Sequence, residues 1–259
     1  MEKKIITINN RKIRCCVVGC GRISRNHIKS IFLLKEDFEL VAICDNQKGR
    51  ILEIMKFIKD LNEGEKVENI FNPKNFLDYQ VFLKAIKNNE IQVDLIVLAT
   101  PSGLHSKQTI EAAKLGLHVC TEKPMATNWE DGVLMNNVCK DNLVNLFVVK
   151  QNRFNSTLKL VKDQIQRNRF GRIALVTVNV FWQRPQTYYD QDSWRGTWEL
   201  DGGALMNQAS HYVDLLDWLI GPLESISASI ATIGRDIEAE DTAAIQLKWV
   251  QGALGTMAV

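Results

Sequence analysis

The chain has 259 residues, of which 46% are hydrophobic and 24% charged, a balance typical of a folded protein with one large or two ordinary domains. Its formal net charge of +2 favours neither nucleic acid nor an anionic membrane as a partner. No apolar run is long enough to span a bilayer, and residues 1–14 are polar and basic without a signal core, so a cytoplasmic protein is predicted.

The cysteines are predicted to be reduced and buried. They lie at positions 15, 16, 20, 44, 120 and 139, mostly in apolar segments, and form no CxxC pair. This pattern favours neither disulfides nor a zinc site, so no metal ligands are predicted.

A glycine turn between a predicted strand and a predicted helix is the first functional signal. Ile13–Val18 is an apolar run typical of a buried strand, and Gly19-Cys-Gly21-Arg-Ile-Ser24 follows it directly. Gly19 permits a tight turn, and Gly21 lets the backbone approach a pyrophosphate that the N-terminus of the next helix stabilises. Ser24 replaces the third glycine of the usual fingerprint. The turn therefore predicts a dinucleotide cofactor.

An acidic residue ends the second predicted strand, Glu39–Cys44. Asp45 stands where a carboxylate accepts hydrogen bonds from an adenosine ribose and repels a 2′-phosphate, so NAD is favoured over NADP. Lys48 and Arg50 follow closely and are interpreted as a solvated helix face. Residues 46–69 are predicted to form a helix and then a surface insertion.

Strands continue to alternate with helices along this half of the chain. The remaining predicted strands are 75–79, 93–99, 117–120 and 145–150. Such alternation predicts a doubly wound parallel sheet, whose ligands bind at the carboxyl ends of the strands.

Two loops at those ends carry candidate residues. The first, Thr100-Pro-Ser-Gly-Leu-His105, contains a histidine that either contacts cofactor or substrate or only caps local structure. The second, Thr121-Glu-Lys-Pro124, holds Lys123 between an acid and a proline. Lys123 either faces the ligand crevice or is a surface lysine in a turn.

The second half predicts a mixed or antiparallel sheet, with strands over 173–182, 225–232, 242–250 and 253–259. Residues 183–200 form a long predicted loop rich in Trp, Tyr and Arg. Its arginines suit a carboxylate or a pyrophosphate, and its aromatic rings suit a base or a sugar. Alternatively, the loop is a packed flap that covers the sheet. Residues 201–218 predict one helix. On that helix Asn207, His211 and Asp214 share a face, and the histidine is either reactive or a hydrogen-bonded core residue.

Taken together, these motifs resemble the Gfo/Idh/MocA oxidoreductases. The resemblance rests on Gly19-Cys-Gly-Arg-Ile-Ser24, Ala99-Thr-Pro-Ser-Gly-Leu-His105, Glu122-Lys-Pro124 and Gly202-Gly-x4-Gln-Ala-Ser-His211, in that order over nearly the whole chain. It implies an α/β fold with an N-terminal Rossmann doubly wound parallel sheet and a C-terminal α/β domain that has an open, largely antiparallel sheet. Domains are predicted over residues 1–145, for NAD, and 146–259, for substrate and oligomerisation, the second incomplete at its C-terminus.

The resemblance also implies site residues. Those implied to bind NAD are Gly19, Gly21, Arg22, Ile23, Asp45, Thr100, Pro101, Ser102, His105, Glu122 and Lys123. Those implied to act in catalysis are Lys123, His211 and Asn207. Substrate contacts are expected from Arg153, Arg184, Arg195, Asn207 and His211.

One residue that differs from the usual family motif points to a subgroup of the family. Asn207 stands where the family usually has Asp, and an asparagine orients a substrate but takes no proton. The run Trp194–His211 is similar to the subgroup that oxidises C3 of UDP-N-acetylglucosaminuronic acid in surface-polysaccharide, including lipopolysaccharide, sugar synthesis, and this subgroup carries the Asn.

The predicted reaction is hydride transfer from a sugar carbon to NAD in a homo-oligomer, a dimer or tetramer, with a nucleotide sugar as substrate and neither nucleic acid nor membrane as partner. His211 would take the hydroxyl proton while Lys123 stabilises the alkoxide, or the two roles would be reversed. Asp214 would orient His211 or be merely structural. The alternatives are a dehydrogenase of a free sugar or inositol and a non-catalytic NAD-binding regulator.

Overall fold

The computed structural model describes residues 8–64 and 71–259, and the chain divides into two compact units, 1–148 and 149–259. The end of the predicted surface insertion, residues 65–69, lies outside the described residues. The division follows the strand Leu146–Val148, which hydrogen-bonds to the first sheet.

The first unit is built on a six-stranded parallel sheet. Its strands are β1 (Ile13–Val18), β2 (Phe38–Cys44), β3 (Lys74–Phe76), β4 (Leu95–Leu98), β5 (His118–Thr121) and β6 (Leu146–Val148). They lie in the order β3-β2-β1-β4-β5-β6, so the chain reverses direction across the sheet next to β1. That reversal is the point at which open α/β sheets bind ligands.

Five helices connect these strands: α1 (Ser24–Leu33), α2 (Lys48–Gly64), α3 (Tyr79–Lys87), α4 (His105–Lys114) and α5 (Trp129–Asp141). Alternate residues of β1 point into two separate apolar clusters. Cys16 packs with Phe82 of α3, and Val17 packs with Ile28 and Ile54 of α1 and α2. The sheet is therefore covered on both faces, which explains why its central strands read as continuous apolar runs.

The second unit contains a mixed four-stranded sheet. Its strands are β7 (Leu175–Asn179), β8 (Leu223–Ala231), β9 (Thr242–Trp249) and β10 (Leu254–Ala258), in the order β7-β10-β9-β8. Two of its three pairings are antiparallel and the β7–β10 pairing is parallel. Trp249 and Met257 pack on one face with Ala209 and Leu216, and so place the helical segment over the sheet.

The helices of this unit are α6 (Ser156–Gln166), α7 (Gln186–Asp190), α8 (Gly203–Asn207) and α9 (Ser210–Ile220). The long predicted loop thus contains the short helix α7. The single helix predicted over 201–218 is wrong, because α8 and α9 are separated at Gln208 and Ala209.

Local hydrogen bonds mark the break, and Glu240 holds the start of α8. The N–H of Ala209 donates to the carbonyl of Ala204 at 2.9 Å, one residue further back than in an α-helix. At the start of α8, Glu240 accepts from Leu205 N–H at 2.8 Å through its side chain and from Ala204 N–H at 2.9 Å through its carbonyl. His211 and Asp214 therefore share α9, whereas Asn207 is the last residue of α8.

The remaining sequence expectations concern cysteines, metals and membranes. All six cysteines are free thiols, five of them buried. Within residues 8–64 and 71–259, no cluster of His, Cys, Asp and Glu has a metal-binding arrangement. None of the helices in that part of the chain combines the length and apolarity needed to cross a membrane.

Candidate active site

The glycine turn after β1 has the geometry that a dinucleotide requires. Gly19 has φ +93°, and a Cβ there would lie 2.5 Å from the carbonyl oxygen of Ala99. A Cβ at Gly21 would meet open space, so the backbone is accessible there. No side chain caps the N-terminus of α1, where the N–H groups of Ser24 and Asn26 donate to the carbonyls of Gly21 and Ile23 at 3.1 and 3.0 Å. Arg22 and Ile23 are exposed beside this turn.

Asp45 lies directly against the same turn. It is 8% exposed, and its carboxylate accepts the N–H of Cys20 at 2.8 Å and that of Gln47 at 2.8 Å. A carboxylate oxygen can accept more than one hydrogen bond, so Asp45 can still accept hydrogen bonds from a ribose hydroxyl. The backbone contacts hold the carboxylate at the end of β2, where a ribose contact was predicted.

His105 is a buried link between the two candidate loops. Its side chain has no exposed surface, Nδ1 lies 2.9 Å from the Pro124 carbonyl oxygen and Nε2 lies 3.0 Å from that of Thr100. Burial lowers the pKa of this imidazole. Because Pro101 and the buried Ser102 lead into the same turn, the histidine holds the loop's shape from within.

The second loop is organised by a hydrogen bond between two side chains. Glu122 Oε1 lies 2.8 Å from His27 Nε2, and Glu122 Oε2 accepts the N–H of Lys123 at 3.2 Å. Burial by itself raises the pKa of the Glu122 carboxyl, but the hydrogen bond and charge of His27 outweigh burial and lower it. The acid before Lys123 therefore supports the backbone of the lysine. His27 was not predicted as a site residue from the sequence, although it lies on α1, the helix that follows the glycine turn.

In the second unit, His211 is a buried residue of the first turn of α9. It is 8% exposed, and its Nε2 lies 3.5 Å from the side-chain amide of Gln151. Asn207 donates its amide to the carboxylate of Asp201, which also accepts the N–H of Gly196 at 2.8 Å. Asp201 is 1% exposed, so it fixes the orientation of Asn207. Asp201 was not predicted as a site residue.

Asp214, for which the sequence left open either a role in orienting His211 or a structural one, forms hydrogen bonds with Arg153. Its carboxylate accepts from Arg153 Nε at 2.8 Å and Nη2 at 2.7 Å, and Lys150 Nζ lies 3.8 Å away. Burial lowers the pKa of Lys150, whereas the charge of Asp214 acts to raise it. Arg153, expected to contact substrate, is thus bound by a carboxylate of its own unit.

The other two predicted arginines are held against aromatic rings. The guanidinium of Arg184 lies 4.3 Å from the ring centre of Trp182, and that of Arg195 lies 4.2 Å from the ring centre of Tyr188. Arg195 also pairs with Asp192 at 3.0 Å. Aromatic faces leave the edges of a guanidinium available, which suits it to bind phosphate or carboxylate oxygens.

Comparison with solved structures identifies similar proteins over nearly the whole chain. The WlbA dehydrogenase from Bordetella pertussis, solved in complex with NADH and UDP-GlcNAcA, is 51% identical, with a TM-score of 0.85, over 98% of this chain and 70% of the other. The WlbA dehydrogenase from Chromobacterium violaceum, solved with the same two ligands, is 49% identical, with a TM-score of 0.84, over 97% of this chain and 68% of the other.

Curated relatives are more distant and longer. A 2,7-anhydro-N-acetylneuraminate hydratase from Escherichia coli strain K12 is 26% identical over 79% of this chain, and a myo-inositol 2-dehydrogenase from Thermotoga maritima is 24% identical over 95%. The chain spans 57% of the length of the first and 67% of the second.

Two family models together match most of the chain. The model of the oxidoreductase family with an NAD-binding Rossmann fold matches residues 13–150, and that of the GFO/IDH/MocA C-terminal domain matches residues 158–259. The glycine turn and Asp45 lie within the first match, and His211 lies within the second. The chain therefore belongs to the GFO/IDH/MocA oxidoreductase family, and its first unit is an NAD-binding Rossmann domain.

Proposed function

We propose that this protein oxidises the C3 hydroxyl of UDP-N-acetylglucosaminuronic acid with NAD. The observation that carries the proposal is the 51% identity, over 98% of the chain, to a dehydrogenase solved with NADH and UDP-GlcNAcA. The glycine turn, the uncapped N-terminus of α1 and the buried Asp45 suit an NAD dinucleotide. NAD when bound supplies the hydride acceptor.

In this reaction the C3–H bond breaks, its electron pair leaves with the hydrogen as hydride, and the hydroxyl becomes a ketone. The hydroxyl proton passes to a base, for which His211 is the proposed residue because it is buried and its ring is held beside Gln151. Lys123 is proposed to stabilise the alkoxide charge as the proton leaves. Asn207, oriented by Asp201, is proposed to hold a sugar hydroxyl.

The proposed anion contacts are Arg184 and Arg195, whose stacking on aromatic rings holds the guanidinium groups in place for phosphate or carboxylate oxygens. Arg184 is the strongest candidate of the three, because a carboxylate already occupies two donor groups of each of the others: Asp214 those of Arg153, and Asp192 those of Arg195.

The setting proposed for the enzyme is the cytoplasm, in the synthesis of a lipopolysaccharide or capsule sugar. A homo-oligomer, dimer or tetramer, is proposed to form through the open face of the second sheet. That face is exposed on all four strands, for example at Thr177, Thr256, Gln246 and Ser227, and so is accessible to a second copy.

The deciding experiment follows NADH fluorescence in protein supplied with NAD and either UDP-N-acetylglucosaminuronic acid or myo-inositol. An oxidised acceptor is added in a parallel series, so that turnover with a cofactor that stays bound is also detected, and the sugar product is identified by mass. A loss of two mass units from the nucleotide sugar alone supports the proposal. Oxidation of myo-inositol alone would favour the chemistry of the Thermotoga relative, and NAD binding without any sugar product would favour a regulator.

A further inference from the structure

The second unit contains a cavity to which the proposed reaction assigns no part of the sugar. Its volume is about 320 Å³, and its lining includes Val180, Trp182, Arg184, Ala204, Gln208 and Val259. This volume lies at the lower end of the range of small-ligand pockets, which is large enough for a substituent of a sugar.

Gln208 is the polar group that distinguishes this cavity. The residue is 5% exposed, and neither Oε1 nor Nε2 of its amide has a hydrogen-bond partner in the part of the chain that the structure describes. Buried polar side chains are nearly always hydrogen-bonded, because an unpaired group keeps the full desolvation penalty. A cavity that presents one such donor and one such acceptor is therefore suited to a ligand that supplies both partners.

We propose that this cavity receives the 2-acetamido group of the sugar and that Gln208 is the residue that selects it, an inference that rests on the proposed function. An acetamido group supplies one N–H, for Gln208 Oε1, and one carbonyl oxygen, for Gln208 Nε2. The Nε of Arg184, which is also buried and without a partner among the described residues, is a second donor for that carbonyl. The apolar side chains of Val180, Ala204 and Val259 suit the methyl group.

Two further observations favour an acetamido group over the sugar's carboxylate. A carboxylate has no N–H and would leave Gln208 Oε1 without a donor. In addition, Gln208 directly follows Asn207, which is proposed to hold a sugar hydroxyl, and C2 is bonded directly to the reacting C3. The carboxylate is carried on C5, which is further from the reaction.

The test compares UDP-N-acetylglucosaminuronic acid with UDP-glucuronic acid, which has a hydroxyl in place of the acetamido group. Binding is measured by calorimetry in the presence of NAD, and kcat/KM is measured separately, for wild type, Gln208→Leu and Gln208→Glu. We expect both variants to bind and turn over the acetamido sugar about 10- to 100-fold less well, while UDP-glucuronic acid changes by less than about 3-fold. Gln166→Leu, an exposed glutamine of α6, is the control and should change neither sugar.

The outcomes separate this inference from the proposed function. If the wild type turns over the acetamido sugar but Gln208→Leu weakens the binding of both sugars equally, the inference is overturned and the proposed function is unaffected. A binding preference for the acetamido sugar that Gln208→Leu abolishes supports the inference even without turnover. Wild-type binding that ignores the acetamido group overturns it.

Protein stability provides an independent readout. Since Gln208→Leu removes an unpaired polar group, its midpoint of thermal unfolding should equal or exceed that of wild type. A clear fall would indicate that Gln208 serves the fold and would count against a ligand-binding role.

Discussion

Gly203 and Glu240 are packed so closely that no other residue fits at position 203: a Cβ there would lie 1.8 Å from Glu240 Oε2. Gly203 has φ +81°, and Glu240 is 2% exposed and so has little room to move. Glu240 also accepts the N–H of Leu205. This contact fixes where α8 begins and hence where the residues before His211 lie.

The substitution Gly203→Ala should therefore lower the free energy of unfolding by about 3 kcal/mol, because the left-handed conformation and the overlap with Glu240 both disfavour a Cβ. Urea unfolding followed by tryptophan fluorescence measures the loss. Gly171→Ala is the matched control, because Gly171 also has a positive φ, +63°, but a Cβ there would meet nothing within 4 Å. Gly171→Ala should lower the free energy of unfolding by only about 1 kcal/mol. Equal losses in the two variants would refute the role given to Glu240.

His211→Asn should reduce kcat for the nucleotide sugar by about 10²- to 10⁴-fold, the usual contribution of a general base. The affinity for NAD, measured by quenching of protein fluorescence, should remain near that of wild type. Asp217→Asn, an exposed residue of the same helix, is the control and should retain full turnover. Near-normal turnover of His211→Asn would remove His211 from the mechanism and leave Lys123 as the candidate base.

Asp45→Asn should weaken NAD binding by about 10-fold, because an amide has a single acceptor oxygen where the carboxylate has two. Binding of NADP should weaken less or improve, because the negative charge that repels a 2′-phosphate is gone. The ratio of the two dissociation constants is the measurement that matters. His211→Asn is the control, since it lies in the other unit and should leave that ratio unchanged. A ratio unaltered in Asp45→Asn would contradict a ribose contact.

Asp94 should make the first unit sensitive to acid. Its carboxylate accepts from Arg14 Nε at 2.9 Å and is paired with Arg11 and Arg14. Burial by itself raises the pKa of Asp94, but the hydrogen bonds from the two arginines outweigh it and hold the pKa well below its ordinary value. A carboxyl whose pKa is depressed on folding stabilises the protein above its unfolded pKa, about 3.9, and this contribution is lost as the pH falls further.

Asp94→Asn should accordingly lower the free energy of unfolding by about 1–2 kcal/mol at pH 7. The loss is modest because Arg11 is half exposed and solvent screens its charge. The difference from wild type should shrink as the pH is lowered below about 4. Urea midpoints at several pH values measure this convergence, with Asp60→Asn on the exposed side of α2 as the control. A difference that stays constant down to pH 3 would mean that the ionised carboxylate is not the source of the stability.

The first unit could be predicted closely from the sequence. β1 has the predicted bounds, and β2 begins one residue before its predicted start. Apolar runs for buried strands, a glycine turn and capping residues such as Asn128 are local signals that need no knowledge of distant contacts. The family resemblance was also readable, because its motifs are short and lie in order along the chain.

The arrangement of the candidate site could be predicted only in part. His211 and Asp214 were correctly placed on one helix, but the partner of Asp214 is Arg153, which is 61 residues away in the sequence. The periodic apolar pattern of residues 201–218 predicted one helix, and Glu240, far along the chain, fixes a separate start for α8. Gln208 was noted only as part of the family motif, because nothing in its sequence neighbourhood indicates that its amide is buried beside a cavity.

The sequence by itself determined the order of strands and helices in the first unit, the dinucleotide turn and the family. Only the tertiary structure decided which charged and polar groups pair, where the second-unit helix breaks and which amide lies buried without a partner. The physical reason is one of range. Helix and strand periodicity depends on residues a few positions apart, whereas hydrogen-bond satisfaction in a folded interior depends on groups that meet only after the chain has closed long loops.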